Sequence, residues 1–310
     1  MNVANIEVWI IFNLFVFALL AIDNLFLAPR DKVLNFKQAL LMTAFWVSLA
    51  LIFNLGVWFW WGKQKALEFL AGYLIEQSLS VDNLFVFLLI FSYFKVSEVH
   101  QRKVLFWGIL GAQAMRAIFI LLGVALLNKF HWLIYIFGLL LVVSGFKLFS
   151  ETEKEIHPDD NPVVKLFRRC VPVSSQNHDG KFWIKEAGKW VATPLFVVLV
   201  VVETTDLIFA IDSIPAVLAI TKDPFIVYSS NIFAILGLRA MYFALSGLMN
   251  RFHLLHYGLG IILIFVGLKM LLEGFIHVPI GVSLGVIVGV LTITMILSAY
   301  IPVKKKHKHV

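Results

Sequence analysis

Apolar residues run along this chain in nine stretches, each close to the roughly 20 residues that one helix needs to cross the hydrocarbon layer of a bilayer. They lie near residues 6–28, 38–61, 68–94, 104–127, 131–149, 191–220, 226–249, 255–276 and 280–301. Polar residues collect between them, above all at 151–190, where an acidic run from Glu151 to Asp160 precedes Lys165, Arg168 and Arg169. No apolar period there is long enough for a separate domain, so that segment is expected to be a solvated connector with at most a short surface helix. The pattern predicts an all-α fold, a polytopic membrane bundle of about nine transmembrane helices.

Composition points the same way: 60% of the residues are hydrophobic and 15% charged, too apolar a mixture for a soluble domain. The first stretch has no lysine or arginine before Arg30, so it lacks the basic start of a cleaved signal peptide and reads as a retained span. A formal net charge of +7 could suggest nucleic acid, but its distribution reads as a topology signal instead. With the N-terminus outside, eighteen lysines and arginines fall on the inner side and four (Lys63, Lys65, Lys129, Lys222) on the outer. That bias predicts N-terminus out and C-terminus in the cytoplasm, with no nucleic-acid partner. The tail from Lys304 to His309 fits a cytoplasmic stop signal that touches lipid headgroups. Cys170, the one cysteine, cannot form an intrachain disulfide and reads as a loop thiol.

The chain also repeats itself. Asn128-Lys129-Phe130-His131 and Gly145-Phe146-Lys147 recur 122 positions later as Asn250-Arg251-Phe252-His253 and Gly267-Leu268-Lys269. Glu76 and Asp82 are matched by Asp206 and Asp212, and Ile109-Leu110-Gly111 with Arg116 by Ile235-Leu236-Gly237 with Arg239. Each unit holds three spans, an odd number, so the second starts on the opposite side of the membrane and the two are inverted. The expected organisation is two N-terminal helices (1–67), a first three-helix repeat (68–150), a cytoplasmic loop (151–190), a second, inverted repeat (191–276), and a last helix with a basic tail (277–310). Inverted three-helix repeats are a plan of secondary transporters, whose ion sites lie near the midplane between the repeats.

Acidic residues occupy those depths. Ala21-Ile22-Asp23-Asn24, Ser80-Val81-Asp82-Asn83 and Ala210-Ile211-Asp212-Ser213 place an aspartate before a short polar residue inside apolar sequence. A carboxylate at the helix centre costs about 2.5–3.5 kcal/mol even on lenient insertion scales, so three in one pattern call for a task, and holding a cation is the task they suit. At about 100° per residue, Glu76, Ser80 and Asn83 form one stripe with Ser78 and Asp82 beside it. Glu203, Asp206 and Ser213 form the corresponding stripe, with Thr205 and Asp212 adjoining. Pro215 is expected to break or kink the second helix beside Asp212 and free the Ile211 carbonyl as a ligand. Such all-oxygen wedges suit Mg²⁺, Ca²⁺ or Mn²⁺ better than Zn²⁺ or Cu⁺. Arg116 and Arg239 would balance the acids in the absence of metal. Three other readings stand beside this one: acids that only pair with the arginines to hold the bundle, a proton relay without metal, and an intramembrane aspartyl hydrolase built on Asp82 and Asp212.

Residues 72–83, 203–216 and 231–242 resemble the TerC family of integral membrane proteins, nearest its Alx-type branch, and the resemblance covers nearly the whole chain from Asp23 onward. It implies a non-enzymatic exporter of manganese from the bacterial cytoplasm, related to the LysE transporter superfamily, multi-pass in the inner membrane, with Mn²⁺ as cargo and no prosthetic group. The positions it assigns to the metal are Asp23, Glu76, Asp82, Asn83, Glu203, Asp206, Asp212 and Ser213. Because some members are linked to metallation of exported proteins or to membrane biogenesis, it also leaves open a scaffold that serves secretion partners.

Overall fold

The computed structural model describes residues 6–23, 36–130, 132–150, 165–167, 169, 171–174, 180–186, 188–246, 254–272, 274–276 and 278–300, without the side chains of Asp82, Phe85, Ser150 and Ser246. Asn24, Cys170, the acidic run 151–160 and the lysine tail lie outside the described residues. Among the described residues the longer helices are, in chain order, α1 (Ile6–Ile22), α2 (Phe36–Trp61), α3 (Lys63–Tyr93), α4 (Glu98–Lys129), α5 (Leu133–Ser150), α6 (Pro194–Leu218), α7 (Pro224–Leu236), α8 (Leu238–Ser246), α9 (Leu255–Leu271) and α10 (Ile280–Tyr300). Five of them, α2, α3, α4, α6 and α10, are long and apolar enough to cross a membrane alone. The pair α7 and α8, bent by 41° at Gly237, passes the same test together, and α1, α5 and α9 are shorter apolar helices.

Local chemistry sets the helix ends. Only Gly62, at φ 88°, separates α2 from α3, a backbone region that glycine enters without the clash of a Cβ. Thr193 caps α6 by accepting from the Phe196 amide, and Asp223 caps α7 by accepting from Phe225 and Ile226, each followed by a proline at the first helical position. In α4, Glu98 sits in the first turn and Lys129 in the last, matching the helix dipole at both ends.

Every residue of α7 from Phe225 to Leu236 is buried, so this helix is the centre of the bundle rather than a boundary to lipid. The outer faces are apolar instead: Phe59, Trp60 and Tyr300 are 86%, 78% and 83% exposed. Around α7, α3 packs on α7 as α4 packs on α6, α3 lies against α6, and α4 against α7. To one side α5 and α9 run antiparallel in close contact. A Cβ on Gly267 would meet the Gly138 carbonyl at 2.6 Å, and one on Gly145 the Gly260 carbonyl at 2.7 Å, so backbone touches backbone at both crossings. Helices α1 and α2 cover the other side.

Two expectations need correction. The fold is not purely helical, because β1 (Trp183–Glu186) and β2 (Lys189–Ala192) form an antiparallel hairpin just ahead of α6. Its turn needs Gly188, at φ 79°, between Glu186 and Lys189. The helix also does not break beside Asp212: α6 runs through Pro215 to Leu218. Three residues from the end, the proline removes a single hydrogen bond, that to the Ile211 carbonyl, and the following turn closes with the Ala219 amide on the Pro215 carbonyl at 2.9 Å.

Candidate cation site

Four central helices meet at one guanidinium. Arg116 of α4 is fully buried and ion-pairs with Glu76 of α3 through Nη1. The same nitrogen donates to Asn231 Oδ1 of α7 at 3.1 Å. On its other edge, Nη2 and Nε donate to the two carboxylate oxygens of Asp206 on α6, at 3.1 and 3.4 Å. A planar fork of this kind matches a carboxylate in two-point contact, which a lysine could not do. Asn231 is fixed in turn by its Nδ2 on the Val227 carbonyl at 3.1 Å.

The stripe on α3 is buried as its spacing implies: Glu76, Ser80 and Asn83 are all inside the bundle. Ser78, on the neighbouring stripe, donates to the Leu74 carbonyl of its own helix. The side chain of Asp82 lies outside the described residues. On α6, Asp206 and Ser213 are buried, whereas Glu203 and Asp212 are half-buried. Asp212 Oδ1 accepts from Ser144 Oγ of α5 at 2.8 Å. Glu203 turns its carboxylate onto Gly111 of α4, where only a glycine leaves room for it.

Polar atoms remain without a partner in this region. Glu76 Oε2, Ser80 Oγ, Ser213 Oγ, Glu203 Oε2 and Asn83 Nδ2 are buried and make no hydrogen bond among the described residues. Buried polar groups are nearly always satisfied, so a concentration of orphaned oxygens on α3 and α6 marks a place suited to a ligand or ordered water. Among the described residues, no three or more His, Cys, Asp or Glu side chains converge tightly enough to grip a metal. A cation held here would therefore draw on hydroxyl and amide oxygens as well as carboxylates, a donor set for hard ions.

The sequence-assigned residues thus divide. Glu76, Asp206 and Arg116 are brought together directly. Asp23, the last described residue of its segment, is buried and paired with Arg239 of α8, 216 positions away, apart from that junction. Asp212 faces α5. Sequence reasoning missed Asn231 and Ser144 as partners; the signal for Asn231 was the polar run Ser229-Ser230-Asn231 inside an apolar helix, and nothing in the local pattern singled out Ser144.

The model of the family described as "Integral membrane protein TerC family" matches residues 61–306. A protein of Myxococcus xanthus, "Uncharacterized membrane protein STKORF319", is 48% identical over 307 residues, 99% of this chain and 95% of that one. "Putative membrane-bound redox modulator Alx" of Escherichia coli (strain K12) is 46% identical over 304 residues, 94% of each chain. A membrane protein of Rickettsia bellii is 40% identical over 289 residues, 93% of this chain and 94% of that one. No solved structure matches.

Proposed function

Because the chain belongs to the TerC family of integral membrane proteins, we propose that it exports a divalent cation, Mn²⁺, from the cytoplasm of a bacterium across the inner membrane by alternating access. The observation that carries this reading is the Arg116 junction, where acids of α3 and α6 share one buried guanidinium beside orphaned oxygens on the same two helices. Pairing for stability alone accounts for Asp206 and for one carboxylate oxygen each of Asp23 and Glu76. It leaves Glu76 Oε2, Ser80 Oγ, Ser213 Oγ and Glu203 Oε2 with no task.

The nine crossings and the inverted repeat are part of the proposal, and the packing supports them. Exchanging α3, α4 and α5 with α6, α7–α8 and α9 turns the contacts of α3 with α7 and of α4 with α6 into each other. Gly138 and Gly145 stand 122 positions before Gly260 and Gly267, and Gly138 meets Gly267 as Gly145 meets Gly260. A two-fold axis between α5 and α9, lying in the membrane plane, produces that reciprocity.

In this mechanism Mn²⁺ arrives from the side of the 151–190 loop and sheds part of its water. Asp82, Asp212, Glu76 Oε2 and the neighbouring serine and asparagine oxygens take it up. Arg116 holds the remaining carboxylate charge when the cation has left. Outward movement of a 2+ ion against an inside-negative potential costs about 4.6 kcal/mol per 100 mV, so a coupling ion must drive it. A proton delivered to Glu76 or Asp206 would loosen either from Arg116 and serve that end.

The name of the Alx relatives offers a second reading, redox modulation. A chain with one cysteine cannot cycle an intrachain disulfide, so this reading has no dithiol in the chain to carry it. Titration of the purified protein with Mn²⁺ tests the proposal: Glu76→Gln and Asp212→Asn should each weaken binding about tenfold or more while the protein stays folded. Unchanged affinity in both would remove these residues from the site.

A further inference from the structure

The two ends of the bundle are packed differently. On the side of the β-hairpin, the core is loose. A void of about 20 Å³, room for one water, lies among Phe87, Leu105, Val202, Glu203, Asp206 and Leu238. An open groove of about 230 Å³ runs along α6 beside Met115 of α4, past Phe196, Leu199 and Leu207, and Glu203 lines both spaces. The smaller of the two touches Asp206.

The Lys222 side is shut. Phe53, Phe69 and Phe233 pack ring on ring, with Phe53 and Phe233 4.7 Å apart, and Phe225 sits between Phe12 and Trp61 at 5.3 and 5.6 Å. Outside these rings a polar clasp joins the start of α3 to the approach of α7. Lys65 Nζ stands 2.9 Å from Glu68 Oε2 and 3.3 Å from Asp223 Oδ2. Thr221 Oγ1 donates to Glu68 Oε2 at 2.6 Å, so both helices contribute. One turn deeper, Gly72 lies against Ser230.

We propose that this seam between α3 and α7 is the gate through which the cation leaves on the Lys222 side, and that the structure holds it closed. The inference rests on the transport reading. Its chemistry distinguishes it from a permanent weld: two buried carboxylates share one ammonium that is itself a quarter exposed. A dication reaching the seam from the core repels Lys65 and attracts Glu68 and Asp223, so it competes with the ammonium for both carboxylates as it passes. The two sides of the seam belong to the two proposed repeats, the bodies whose relative motion alternating access requires.

A disulfide and a latch variant test it. A Cβ placed on Gly72 stands 3.4 Å from the Ser230 Cβ, near the separation a disulfide spans. In a Cys170→Ser background, oxidised Gly72→Cys/Ser230→Cys protein in proteoliposomes should lose Mn²⁺ flux about tenfold or more, keep equilibrium Mn²⁺ binding, and recover flux on reduction. Oxidised protein that transports at the reduced rate overturns the gate. Lys65→Gln leaves Glu68 and Asp223 opposed, so Ser230→Cys alone should react about tenfold faster with an impermeant maleimide applied from the Lys222 side. Labelling unaffected by Lys65→Gln also overturns it. Absence of flux in reduced and unmodified protein alike counts against cation transport, and the labelling comparison then still decides the gate.

Discussion

At the scale of single residues, Arg116 is the group on which the core depends. It neutralises two carboxylates that no other described cation touches, and removing one partner of a buried charge cluster typically costs about 3–5 kcal/mol. Arg116→Leu should therefore lower the unfolding temperature sharply in detergent, and adding Glu76→Gln with Asp206→Asn should restore much of it. An unfolding temperature unmoved by Arg116→Leu would mean that the acids are not charged there. Gly111 makes a second test, since a Cβ would press into the Glu203 carboxylate. Gly111→Ala should cost about 1–3 kcal/mol, and the loss should largely vanish in a Glu203→Ala background; additive effects would contradict the contact. The acids themselves were legible in the sequence, because a carboxylate in an apolar run is conspicuous. Their partners were not. Asp23 meets Arg239 across 216 positions and Asp212 meets Ser144 across 68, pairings that only tertiary packing decides.

At the scale of elements, the helices were legible because each lies in a long apolar run, while interruptions were not. Pro215 was expected to break α6, yet it lies so near the end that the helix absorbs it. The Ile211 carbonyl lacks its helical donor, yet the helix around it stays continuous. Pro215→Ala should leave Mn²⁺ affinity unchanged and raise stability by about 1 kcal/mol, the worth of the one hydrogen bond restored. Weakened affinity in that variant would restore the carbonyl as a ligand. The bend falls instead at Gly237, and spacing explains its effect. Gly111 and Arg116 are five residues apart on the unbroken α4, whereas Gly237 and Arg239 are two apart. Three missing residues rotate the second arginine by about 300° and shift it by about 4.5 Å along the axis relative to the first. Arg239 accordingly meets Asp23 while Arg116 meets the acids of α3 and α6. The hairpin escaped notice because Trp183-Ile184-Lys185-Glu186 is too short and mixed to show strand alternation beside a long apolar helix.

At the scale of the whole molecule, the bundle is apolar on its outer faces and encloses a few buried charged side chains within a largely apolar core. The lysine and arginine distribution should hold it in one orientation. Reporters placed near Gln176 and after Val310 should lie in the cytoplasm and one near Lys222 outside. Positions 176 and 222 on the same side would contradict both the nine crossings and the inverted repeat. The central claim, that the chain moves a divalent cation, is tested most directly by flux through the purified protein in proteoliposomes carrying Mn²⁺, Ca²⁺, Mg²⁺ or Zn²⁺ in parallel. The expected result is protein-dependent Mn²⁺ movement, lost in Asp82→Asn and Asp212→Asn and kept in the loop control Asp159→Asn. No flux of any of the four ions above protein-free liposomes, from protein shown to be folded, would contradict it.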